Sequence, residues 1–199
     1  MVLQHTSQKS ITQETISPLL VSLLQRDTLK CLTLTDPWAE LIALGAKKLE
    51  TRSWPTEYRG PLAIHASSTF PVDAEELCDE EPFAMTLLAG GFQKSPLPGR
   101  RTRNAWKFPL GHIVAITWLE DVYRLPPLLF HEQLPKEPEL SFGNFAPGRF
   151  VWSLPMVYRP FSPMRATGAY GLWDWQPPVH FWNEVQAQLD AERKREGEH

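Results

Sequence analysis

The chain has 199 residues, 42% of them apolar and 22% charged, with a formal net charge of −3. This is the size and balance of one globular domain with extensions. It argues against a protein that wraps a long duplex, where affinity comes mostly from neutralised phosphates, and no apolar run approaches the length of a membrane span.

The composition stands out in its 19 prolines and 8 tryptophans. So many prolines favour short strands joined by turns over a helical bundle. The two cysteines, Cys31 and Cys78, form no disulfide framework and have no zinc-ligand spacing, so a reducing, cytoplasmic setting is expected, with no metal and no cofactor. Met1 to Ser17 is polar and lacks the apolar centre of a secretory leader.

Residues 1–27 read as an N-terminal extension. Within it "SPLLVSLLQ" offers Ser17 as a cap, Pro18 at the first helical position, and Leu20, Leu23 and Leu24 on one face. "TLKCLTLT" (28–35) alternates as a strand with at least one buried face. "DPWAELIALG" follows as a short helix over 36–44, capped by Asp36, with Trp38, Leu41 and Ile42 inward and Gly45 ending it. "GPLAIHAS" (60–67) is a second clear strand. An acidic surface segment (73–81) and a glycine-stopped helix (81–91) come next.

Residues 93–109 carry Lys94, Arg100, Arg101, Arg103 and Lys107 with no acidic residue, and read as a long exposed loop. Strands are expected over 111–125, 148–160 and 169–175. A C-terminal helix (177–199) closes the chain with Val179, Trp182, Val185 and Leu189 as its stripe. This order fits an α+β, mainly β fold, a small closed β-barrel with flanking helices, better than a βαβ sheet.

The segment "GAKKLETRSWPTEYRG" (45–60) sits where the first helix of the body hands over to a strand. In a strand, Glu50, Arg52 and Trp54 share one face. Lys47 joins them only if it still lies in the turn that leaves the helix. Such a cluster can be a structural ion-pair network, because a buried Glu50 needs cationic neighbours in any case. It can equally be a wet cleft offering a cation, a carboxylate and a guanidinium fork to a nucleotide, with Trp54 placed to stack on a base.

"GAKKLETRSW" resembles the G-x-K-x-x-E-x-R signature of the ASCH (activating signal cointegrator homology) family, as Gly45, Lys47, Glu50 and Arg52. "LTLTDPWAELIALG", "YRGPLAIHAS", "FGNFAPGRFVWSL" and "GAYGLWDW" resemble the family's other blocks in order, so the resemblance covers about residues 29–175. It implies a PUA-like β-barrel over about 28–176 and a cleft at the helix-to-strand corner. It also implies binding of RNA or a nucleotide. Some members are nucleases, and one branch deacetylates N4-acetylcytidine.

On that basis the binding set is Lys47, Glu50, Arg52, Trp54, Arg149, Arg101 and Arg103. The alternative is a small hydrolase, an amidohydrolase or ribonuclease, with Lys47 and Glu50 catalytic. The amidohydrolase branch places a threonine three residues after its lysine, where this chain has Glu50. No downstream glutamate among Glu132, Glu137 and Glu139 aligns clearly with that branch. His65, set among apolar neighbours, reads as a hydrogen-bonded strand histidine.

Overall fold

The computed structural model describes residues 17–95, 105–128 and 130–197. Arg101 and Arg103 lie outside them, as does most of the basic loop. The fold is mixed α+β and built on two sheets.

The larger sheet contains β1 (Leu29–Leu34), β3 (Gly60–Ala66), β4 (His112–Leu119), β7 (Val157–Tyr158), β8 (Met164–Arg165) and β9 (Leu172–Trp175). β3 lies between β1 and β4, and every one of its residues is buried. β1 and β3 run parallel, whereas the other pairings of this sheet are antiparallel.

Alternation sends the two faces of this sheet into different cores. Cys31, Ala63 and Ile113 meet α1 (Ser17–Leu23) and the C-terminal helix (Val179–Gly197) through Leu19, Leu20, Leu23 and Phe181. Leu32, Leu62 and Ile64 face the other way, towards α2 (Trp38–Ala43) and Trp152. A register shift between Ile64 and His65 leaves Val114 as an extra residue in β4. Val114 and Ala115 therefore both pack on the second face, with Ile113 and Ile116 on the first.

The smaller sheet is antiparallel, in the order β2 (Leu49–Arg52), β6 (Phe150–Ser153), β5 (Asp121–Arg124). The strands expected over 111–125 and 148–160 are each divided. The first breaks at Glu120, and the second at Pro155, which has no N–H to donate. The two form one bent ribbon passing from sheet to sheet. The Trp118 N–H donates to the Met156 carbonyl at 3.2 Å and the Glu120 N–H to that of Ser153 at 2.9 Å, bridging the corner. The two sheets thus share one interior, with α2 against β3, β4 and β7.

Two expectations are corrected. The C-terminal stripe runs through Phe181, Val185 and Leu189, while Val179 is 75% exposed in the first turn. The stretch read as an exposed loop up to residue 109 is partly interior: Trp106 and Phe108 join Phe83, Leu87 and Phe142 in an aromatic cluster. Lys94 is paired with Asp79. Among the described residues no helix is long and apolar enough to cross a membrane.

Candidate functional site

The signature strand is positioned by the helix before it. Gly45 takes φ +70°, the left-handed turn that glycine tolerates, and the N–H groups of Ala46 and Lys47 both return to the Leu41 carbonyl. Lys47 is therefore still in the turn, and its side chain folds back beneath β2. Its Nζ donates to the Leu49 carbonyl at 2.5 Å and lies 3.4 Å from Glu50 Oε2.

Pairing fixes which way the strand faces. Glu50 stands opposite Trp152 and Arg52 opposite Phe150, and these partners face the core shared with the larger sheet. Leu49 and Val151 face the other side with Leu125 and Phe145. Glu50 is thus held in the gap between the sheets, buried, with one oxygen on Lys47 and the other 3.5 Å from Arg52.

A cleft of about 990 Å³ opens beside this pair. Its base comes from the carboxyl ends of the parallel strands, as Thr33, Thr35, His65 and Ser67. The smaller sheet adds Glu50, Thr51 and Arg52 with the 141–144 loop, and the larger sheet adds the 165–171 segment. The Asn144 N–H bonds to Thr51 Oγ1 at 3.0 Å, fastening that loop to β2.

Of the residues expected at the site, Glu50 and Arg52 line this cleft. Lys47 lies behind Glu50 with its side chain fully enclosed. Trp54 packs edge-on against Trp152 at 4.8 Å and carries the Arg52 guanidinium over its ring at 5.5 Å. Arg149 donates to the Thr51 carbonyl at 3.0 Å and buttresses the strand from outside the cleft.

His65 is tied into a directional chain. The Trp173 indole N–H donates to Thr33 Oγ1 at 3.0 Å, and Thr33 Oγ1 lies 3.3 Å from His65 Nδ1. His65 Nε2 is 3.2 Å from the Ala166 carbonyl, an acceptor, so the ring proton belongs on Nε2. Burial holds the imidazole pKa below its usual value, which keeps the ring neutral near pH 7.

Sequence reasoning missed Arg165, Tyr170 and Asn144, which all line the cleft. Asn144 lay within the quoted "FGNF" block. Tyr170 likewise lay within "GAYGLWDW", in the loop between β8 and β9, whereas Arg165 comes from the short strand β8, more than a hundred residues after the signature, with no local signal. Glu139 is placed as a clamp. Its carboxylate accepts the N–H of Lys48 at 2.8 Å and of Leu49 at 3.0 Å. Glu139→Ala should lower stability by about 1.5 kcal/mol, the low end for charged hydrogen bonds because the site is half-exposed. A urea midpoint unchanged from wild type would refute that clamp.

A pair of acidic residues lies at the start of α2. Asp36 and Glu40 are fully buried, and Asp36 Oδ1 accepts the Glu40 N–H at 3.3 Å. Asp36 Oδ2 and Glu40 Oε1 have no hydrogen-bond partner among the described residues. Burial pushes the Glu40 pKa up to about 7 despite Arg159 at 3.4 Å, and raises that of Asp36 well above its usual value.

The family model that matches is described as the ASCH domain and covers residues 32–137. The match ends before the 141–144 loop and the 165–171 segment. Over 45 residues the chain is 44% identical to Activating signal cointegrator 1 of Homo sapiens and, to the same degree, of Mus musculus. That stretch is 23% of this chain and 8% of either relative, so the match spans less than a tenth of the relatives' length. The fold is also similar to a crystal structure of ASCH from Zymomonas mobilis, at TM-score 0.39 and 11% identity, covering 79% of this chain and 93% of that one.

Proposed function

Because the chain belongs to the ASCH domain family, whose model matches more than half of it, we propose that it binds RNA or a nucleotide in the cleft between its two sheets, through Glu50 and Arg52. The carrying observation is the pairing of these two side chains at 3.5 Å on the cleft wall, with Arg52 still 27% exposed. A guanidinium with one edge engaged by a carboxylate keeps further N–H donors for a phosphate or a base edge. Hydroxyls from Thr35 and Ser67 line the same cleft and suit sugar and base contacts. Lys47 acts from behind, compensating Glu50 so that the cleft keeps the charge of Arg52.

A hydrolase would need the Lys47 amine at the reacting atoms. Its enclosure between the Leu49 carbonyl and Glu50 supports binding over turnover. The test is fluorescence anisotropy with labelled short single-stranded RNAs at fixed salt. Arg52→Ala should weaken binding by about 1.5–3 kcal/mol, the loss of a charge-assisted hydrogen bond. Absence of RNA and nucleotide binding by wild type, or acetate release from N4-acetylcytidine, would overturn the reading.

A further inference from the structure

We infer that the 165–171 segment is a second subsite, in which Tyr170 stacks on the base next to the one held in the cleft and Arg165 takes the phosphate between them. The ligand is then a single-stranded segment of at least two nucleotides rather than a free nucleoside. This rests on the cleft reading above and adds to it.

Three observations carry it. First, the segment is tied down on both sides of Tyr170. The Ala166 N–H donates to the Gly111 carbonyl at 3.0 Å, and its own carbonyl is 3.2 Å from His65 Nε2. Trp173 is tied to Thr33 just beyond the segment. A Cβ on Gly168 would come within 2.6 Å of the His65 ring, so only glycine lets the backbone lie this close.

Second, this fixed segment presents Tyr170 with no cover: it lines the cleft yet is fully exposed, which places it on the rim. An aromatic face on a pinned backbone can receive a base with little ordering, and every base has a π-face to offer.

Third, the charge in the cleft is anion-seeking although the chain is net negative. Among the described residues Glu50 is the one acidic side chain lining it, and it is already compensated by Lys47 and Arg52. Arg165 is exposed, and no acidic side chain among the described residues forms an ion pair with it. It extends from β8 opposite His112, on the sheet edge that leads to Tyr170.

The experiment is titration calorimetry of the full chain with nucleoside monophosphates and with tetranucleotides of the same bases. Wild type should bind the tetranucleotide more tightly. Tyr170→Ala should lose roughly tenfold on the tetranucleotide, the loss of one stacked base, with no change for the monophosphate, while Tyr170→Trp should retain binding. Arg165→Gln should reduce the slope of log affinity against log salt by about 0.7, the value for one phosphate of a single strand. If Tyr170→Ala binds the tetranucleotide within twofold of wild type while Arg52→Ala has lost it, the second subsite is wrong and the cleft reading stands. Equal wild-type affinity for both ligands has the same meaning. If wild type binds neither, both fail together.

Discussion

Lys47→Ala should destabilise the protein by about 3–5 kcal/mol, the cost of leaving a buried carboxylate without its partner. Lys47 is 1% exposed and Glu50 6%, so water does not replace the lost ammonium. The Leu49 carbonyl also loses its donor. Arg52, 3.5 Å from the other carboxylate oxygen, is a weaker compensator because it is also open to solvent. Lys47→Met should cost nearly as much although it preserves most of the volume, since the charge is what is missing. Adding Glu50→Gln to Lys47→Met should recover a large part of the loss, the coupling expected of contacting residues. The measurement is the urea midpoint of each variant. Lys47→Met within 1 kcal/mol of wild type would mean that the ion pair contributes nothing.

Stability should fall by about 3 kcal/mol between pH 4.5 and 7 because of Glu40 alone. Burial raises its folded-state pKa from 4.5 to about 7. Across that window the folded chain holds a proton that the unfolded chain has released. Below it both states are protonated and the penalty vanishes; above it the folded state carries an ionised carboxylate in the interior. Asp36 is shifted in the same direction, so it adds to the slope. Glu40→Gln should flatten the Glu40 part of the profile and raise stability most at pH 8. Urea midpoints independent of pH over this window in wild type would contradict the burial argument.

The signature strand was legible because its logic is local. A helix stopped by Gly45 leaves Lys47 in the turn, and a period of two puts Glu50 and Arg52 on one face. The enclosure of Lys47 was not legible, because it depends on how closely the two sheets approach. Nor was the bulge at Val114, since "HIVAITWL" reads as one unbroken apolar strand and only its pairing with β3 shows the extra residue. Arg165 and Tyr170 reach the cleft through the pairing of β8 with β4, a long-range contact that no local pattern encodes. Val179 failed as a core position because periodicity places a stripe on a helix without saying where the partner surface begins. The C-terminal helix meets α1 from Phe181 onward.

The bent ribbon shared by the two sheets has a consequence for ligand kinetics. Arg52 is carried by a strand paired to β6, and β6 continues round the corner into β7 against β4, the strand that also carries β8 and Arg165. The Leu154 N–H, at the same corner, bonds to the Lys48 carbonyl at 2.8 Å. The two sides of the cleft are thus held at a set separation by main-chain hydrogen bonds, and little of a ligand's interaction is lost to ordering them. With the receptor already shaped, arrival rates should vary little among related ligands, and differences in affinity should be read out in how long each one stays.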